Sequence, residues 1–216
     1  MERKSSAIRC IIFDFDGTIA DTEHFAFHIS NELAERYNFK KITREELTEI
    51  KKMHFKEIME YIEISARQFP FILRRGQKLL RHNMHEVQFC EEHFPEFLDD
   101  LRKREILLGI ITSNTKKNVL RFLKHKNIEI FEFVLAASLF NKQSKVKRIM
   151  KKYKLSPEEI LYVGDEVRDI HSARASGVHI ASVVWGYNDR QVLEVEQPDW
   201  LLEDSREILE ILDGEK

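Results

Sequence analysis

The chain has 216 residues, 43% hydrophobic and 33% charged, the make-up of a soluble globular protein that buries a real core. Basic and acidic side chains number 35 and 37, a net charge of −2, and that balance excludes the basic footprint of a nucleic-acid binder. With Cys10 and Cys90 as the two cysteines, a disulfide framework is excluded as well.

The opening residues, Met1 to Ser6, lack the long apolar stretch of a signal peptide, and no run approaches membrane-spanning length; the expectation is a cytoplasmic protein with no membrane partner. An apolar run from Ile8 to Phe13, broken by Arg9, predicts a buried strand with Cys10 as a structural thiol inside it. It delivers the chain to Asp14-Phe15-Asp16-Gly17-Thr18. Acids at i and i+2 point to one side of an extended segment, and the glycine marks a tight turn behind them. Two such carboxylates repel each other unless a cation or a proton sits between them. Magnesium suits the place, since it takes hard oxygen ligands and completes its shell with substrate phosphate. Asp14 is then a candidate nucleophile toward phosphorus and Asp16 a candidate proton donor and acceptor. The competing reading is plain turn chemistry, with the aspartates bonding the nearby backbone.

From Thr18 to Arg75 the chain has no glycine and, apart from Pro70, no proline. Phe25, Ile29, Leu33 and Tyr37 recur at helical spacing, and Thr43 with Glu46 has the form of a capping box. No strand stands out here, so the stretch reads as an all-helical insertion. After Phe94 the pattern alternates. A helix near 96–104, a strand at 106–111, a helix at 117–126, a strand at 133–137 and a basic helix at 142–153 follow in turn. Ser156-Pro157-Glu158-Glu159 reads as another helix start. Then come a strand at 160–163, a helix closing at Gly177, a strand at 178–184 and a terminal amphipathic helix within 201–212. Alternating strands and helices predict an α/β fold, a doubly wound parallel sheet with an inserted helical cap. The expected division is a core of residues 1–20 and 92–216 with a cap of 21–91.

Polar residues cluster where strands end, the edge at which open parallel sheets bind ligands. Thr112, Ser113 and Asn114 offer a hydroxyl and free amides to a phosphate; capping of the next helix by Ser113 or Asn114 is the plainer alternative. Lys142 or Lys145 is the candidate to neutralise phosphate charge, against a background of six lysines between 142 and 154 that reads as a solvated face. Asp165 is a candidate metal ligand or a helix cap, and Asp169, one turn on, can anchor the lysine or support the metal.

This ordered set resembles the haloacid dehalogenase-like hydrolases, in the phosphoglycolate-phosphatase-like branch with a helical cap. Asp14-Phe15-Asp16-Gly17-Thr18 matches the first motif, Ile110-Ile111-Thr112-Ser113-Asn114 the second and Val163-Gly164-Asp165-Glu166-Val167-Arg168-Asp169 the fourth. The resemblance spans essentially the whole chain. It implies hydrolysis of a small phosphorylated metabolite by a monomer or homodimer, with Asp14 as nucleophile and Asp16 as acid and base. Magnesium would be held by Asp14, the Asp16 carbonyl and Asp165. Thr112 and a lysine would bind phosphoryl oxygens, with Gly17, Ser113 and Asn114 around them. Phe140-Asn141-Lys142 lacks the glycine usual before the third-motif lysine, which favours Lys142 by position and leaves Lys145 open. Related mutases carry a histidine where this chain has Ala26, between His24 and His28. The rival functions are a phosphotransferase or mutase, and a phosphoacceptor or binding protein without turnover.

Overall fold

The computed structural model describes residues 8–215; Met1 to Ser6, considered above, lie outside them. Among the described residues no helix is long and apolar enough to cross a membrane.

The first apolar run forms strand β1 (Cys10–Phe13), every residue of which is buried. It lies at the centre of a six-stranded parallel sheet. Beside it on one flank stand β4 (Leu107–Thr112) and then β5 (Phe133–Ala136); on the other stand β6 (Ile160–Gly164), β7 (His179–Val183) and β8 (Trp200–Leu202). The register sets Phe13 level with Ile110 on β4 and with Val163 on β6. Asp14, Thr112 and Gly164-Asp165 therefore emerge side by side at one sheet edge, where the strand order reverses.

Strand alternation divides the apolar side chains between two faces. Ile11, Phe13, Ile110 and Val163 meet α5 (Phe94–Arg102), α6 (Lys116–His125) and α10 (Glu207–Asp213) on one face. Cys10, Ile12, Ile111 and Tyr162 meet α7 (Lys142–Tyr153), α8 (Val167–Arg174) and α9 (Arg190–Val195) on the other. Burial pushes the Cys10 thiol up to about 12, which makes it an inert core group. Phe13 seats edge-on against Phe94, Phe97 and Phe131 at 6.2–6.4 Å.

Between β2 (Ala20–Asp21) and β3 (Gln88–Phe89) the chain forms α1 (Glu23–Tyr37), α2 (Arg44–Ile50), α3 (Phe55–Tyr61) and α4 (Phe69–Asn83). Ile29 and Leu33 of the expected stripe are buried, while Phe25 and Tyr37 pack partly buried beside them. The capping box of α2 is present, with Glu46 N–H donating to Thr43 Oγ1 at 3.2 Å and Thr43 N–H to Glu46 Oε2 at 2.8 Å. Gly76 of α4 lies against Ile29 and Leu33 of α1.

Three expectations need correction. The helical stretch is entered and left through an antiparallel ribbon, β2 with β3, that pairs Ala20 with Phe89; two-residue strands carry no readable period. Ser156 to Glu159 makes a single 3₁₀ turn rather than a helix, because the apolar run from Ile160 joins the sheet at once. The tail adds a strand, β8, and a short helix, α9, before the terminal helix.

Candidate active site

Asp14 is the first residue beyond β1, and its N–H still donates to the Val163 carbonyl at 2.8 Å. That bond fixes its backbone, and two further bonds hold the side chain. Oδ1 accepts from the Phe15 N–H at 2.7 Å, and Oδ2 accepts from Lys142 Nζ at 2.6 Å. Lys142 also donates to Asp169 Oδ1 at 2.6 Å, and Tyr162 Oη stands 3.3 Å from the same oxygen. Burial works against the Lys142 charge, but Asp14 and then Asp169 outweigh it, so the lysine is held well above its ordinary range and stays an ammonium. Lys145 is half-buried one turn further along α7 and donates to neither carboxylate.

Asp16 faces a different set of partners. Its Oδ1 accepts from Thr22 Oγ1 at 2.9 Å and from Asn114 Nδ2 at 3.0 Å. With its proton spent on Asp16, Thr22 Oγ1 is the acceptor for Tyr187 Oη at 3.1 Å. Burial raises the Asp16 carboxyl, and the Thr22 and Asn114 hydrogen bonds hold it back. Oδ1 is thus saturated by two donors, and Oδ2 is the other carboxylate oxygen.

The turn after Asp16 requires its glycine. Gly17 has φ +76, and a Cβ there would lie 2.2 Å from Asp165 Oδ2. Thr18 Oγ1 donates to Asp165 Oδ1 at 2.6 Å, and the Tyr187 N–H donates to Oδ2 at 2.8 Å. Asp165 therefore does not cap α8; that place is taken by Glu166, whose N–H donates to Asp169 Oδ2 at 3.3 Å. Thr112 is fully buried and its Oγ1 accepts from the Asn114 N–H at 2.9 Å, leaving its own proton to donate. The Gly17 and Asn114 amides are spent within the protein, the former on Ala20 O. Helix α6 is capped by Thr115 rather than by Ser113 or Asn114. Ser113 takes part through its carbonyl, which accepts from Gln77 Nε2 of α4 at 2.8 Å.

Glu166 is a residue that sequence reasoning passed over. Its carboxylate joins those of Asp14 and Asp169 in a group whose oxygens lie within 4.8 Å of one another. Burial works against the Glu166 charge, but its ion pair with Arg168 outweighs this and holds the carboxyl below its ordinary range. The 184–189 loop was also missed. Trp185 Nε1 donates to Thr18 O at 3.1 Å, and a Cβ on Gly186 would meet Asp165 at 2.3 Å. The Gly186-Tyr187-Asn188 turn after an apolar strand was the available signal. This loop, Gly17, Cys90 and the cap residues Glu23 and Lys51 line a cavity of about 170 Å³. A larger hollow of about 640 Å³ lies between α6 and β5 and is lined by none of these site residues.

Burial raises Asp14 to about 7, with Lys142 opposing and Asp169 adding to the rise. Burial likewise raises Asp165 well above its ordinary value, followed by Glu166 and Asp14. Five carboxylates, Asp14, Asp16, Asp165, Glu166 and Asp169, gather at one sheet edge, where Lys142 pairs with Asp14 and Asp169 and Arg168 with Glu166. This oxygen-only, negatively charged donor set fits a hard divalent cation.

A parallel α/β sheet with an acid-lined carboxyl edge and a helical insertion after its first strand defines a capped hydrolase architecture. The haloacid dehalogenase-like hydrolase family profile matches residues 11–183, and the chain belongs to that family, in its phosphoglycolate-phosphatase-like branch. It is 31% identical to the phosphoglycolate phosphatase of Synechococcus elongatus, over 94% of this chain and 96% of that one. It is 26% identical to pyrophosphatase PpaX of Oceanobacillus iheyensis, over 95% and 97%. Among solved structures, a haloacid dehalogenase-like hydrolase of Streptococcus pneumoniae superposes with a TM-score of 0.78 at 19% identity, covering 94% of this chain and 97% of that one.

Proposed function

We propose that the protein is a magnesium-dependent phosphatase that hydrolyses a small phosphomonoester, of the phosphoglycolate type, through an aspartyl-phosphate on Asp14. The observation that carries this reading is Asp14 itself: one carboxylate oxygen on a backbone amide, the other on a buried lysine, at the end of the central strand. The phosphoglycolate phosphatase relative supports the phosphomonoester class, and the pyrophosphatase relative supports the coarser reading of a small phosphorylated substrate.

Asp14 attacks phosphorus in line while Asp16 gives a proton to the departing oxygen. Asp16 then takes a proton from the water that cleaves the acyl phosphate. Lys142 and the Thr112 hydroxyl offset charge on the phosphoryl oxygens as it redistributes. Asp14, the Asp16 carbonyl and Asp165 would hold magnesium, with Glu166 as an additional carboxylate. When bound, the ion would supply charge neutralisation to the phosphoryl group. The cap, taken as residues 21–91, closes the site against water with the β2–β3 ribbon as its hinge. His24 and His28 are exposed on α1 and meet edge-on at 4.4 Å, so neither supports a mutase.

The test is phosphate release from a panel of small phosphomonoesters, phosphoglycolate included, with and without magnesium. Metal-dependent release that favours one compound is expected. No release from any compound in the presence of magnesium overturns the reading.

A further inference from the structure

Glu91 and His93 stand just beyond β3, where the chain returns from the helical insertion to the core, and His93 is the N-cap residue of α5. Its side chain makes no cap bond and meets instead the loop between β8 and α10. Nε2 lies 3.1 Å from Asp204 Oδ1, 3.4 Å from Glu91 Oε1 and 3.4 Å from Ser205 Oγ. Glu91, His93 and Asp204 are 11%, 32% and 29% exposed, and their ligand atoms all lie within 4.8 Å of one another. The Ser205 N–H donates to both Glu91 oxygens at 3.2–3.3 Å, which holds that carboxylate against the loop.

One imidazole does not satisfy this group. A ring N–H serves a single acceptor well, and here three oxygens surround it. Two carboxylates in one place repel each other unless a cation lies between them. Arg206, 64% exposed, pairs with Asp204; among the described residues neither a lysine nor an arginine pairs with Glu91. The spacing suits a metal ion. Ligand atoms bound at about 2.0–2.2 Å in a tetrahedral shell stand roughly 3.3–3.5 Å apart, against 3.1 and 3.4 Å from the ring nitrogen to the two carboxylates. The nitrogen also separates this set from the carboxylates around Asp14, which offer oxygen alone. Imidazole suits zinc and its neighbours in the first transition row, whereas an all-oxygen set suits magnesium.

We propose that Glu91, His93 and Asp204 bind a zinc ion, with the fourth position left to water, and so fasten the returning end of the insertion to the β8–α10 loop of the core. The ion displaces Arg206 Nε from Asp204 Oδ1 and leaves Oδ2 to Nη2. None of the three ligands lines the cavity beside Gly17, so the site is separate from the candidate active site and independent of the phosphatase reading. Zinc here steadies the core end of the β2–β3 ribbon.

Untagged protein in excess magnesium is titrated with zinc against a chromophoric chelator. The carboxylates around Asp14 can also take zinc, so the readout is the difference between proteins. His93→Gln is expected to hold one zinc ion fewer than wild type, its affinity at this site reduced by at least about 100-fold, and Glu91→Gln to lose at least about tenfold. Zinc is expected to raise the melting temperature of wild type more than that of His93→Gln. His24→Gln, which alters the exposed pair of histidines on α1, is expected to bind zinc as wild type does. If His93→Gln does not fold, Asp204→Asn carries the comparison through the same loss of one ion. Equal zinc binding by wild type and His93→Gln overturns the proposal. So does the absence of zinc binding by wild type, and so does a loss found in His24→Gln instead. None of these measurements requires phosphate release.

Discussion

The ammonium of Lys142 lies 2.6 Å from Asp14 Oδ2, with the two side chains 0% and 3% exposed. Asp169 Oδ1 stands at the same distance on its other side, also fully buried. One cation thus holds two carboxylates that have no access to water. Removing it strands both charges, a loss on the order of 3–5 kcal/mol for a broken buried pair. Lys142→Met is therefore expected to lower the melting temperature by about 10 °C and phosphate release by at least about 100-fold. Lys145→Met, half-buried and off this pair, is expected to stay within about twofold on both. Thermal melts and phosphate assays of the two variants check the choice of lysine.

Asp14 gives a stability test whose sign is fixed. Its folded value of about 7 exceeds its ordinary 3.8, so the folded state favours the protonated form. The stabilising contribution is full below 3.8 and is lost as pH rises through about 7. In metal-free protein, Asp14→Asn escapes that loss. Its melting temperature is expected to match wild type near pH 4 and to exceed it by several degrees at pH 8, from roughly 2–4 kcal/mol. The same variant is expected to release no phosphate. An active Asp14→Asn protein would remove the nucleophile assignment.

At the proposed site, protons and magnesium would compete for the same oxygens. With Asp14 raised to about 7 and Asp165 raised well above its ordinary value by burial and its neighbours, binding the ion at the proposed site would displace protons. The apparent magnesium affinity is expected to weaken by up to about tenfold per pH unit below 7 for each proton displaced. Calorimetry in two buffers of different ionisation heat counts those protons directly. A pH-independent affinity would place the ion elsewhere.

How much of this was legible follows from distance along the chain. The strand ends carrying Asp14, Thr112 and Asp165 could be read because apolar runs stop there and topology brings such ends together. The lysine could not be chosen, because six lysines share one basic stretch; only burial separates Lys142 from them. In the sequence Glu166 is only part of a motif, and it is the turn of α8 that puts its oxygens near those of Asp14. Tyr187 and Thr22 meet across 165 positions, and nothing local in either announces the other. The ribbon of Ala20 and Asp21 with Gln88 and Phe89 was invisible for a related reason: two residues per strand leave no period to detect.

The Thr22 hydroxyl offers a test of Asp16 that leaves Asp16 in place. Oδ1 of Asp16 takes two hydrogen bonds, from Thr22 and Asn114, and both favour the ionised carboxylate against the burial that raises it. Thr22→Val keeps the shape of the fully buried Thr22 side chain and deletes one donor. It also leaves Tyr187 Oη without its acceptor, so some stability is expected to go as well, about 1–3 kcal/mol. With one bond fewer, the carboxyl rises further. The acid limb of the kcat profile, where Asp16 must be ionised to accept a proton from water, is expected to move up by roughly half to one pH unit. Tyr187→Phe retains the Thr22 bond to Asp16 and is expected to move the limb less. Measuring kcat against pH for both variants separates the two effects. A limb that stays fixed in Thr22→Val would show that a group other than Asp16 controls it, and the acid and base role would pass from Asp16.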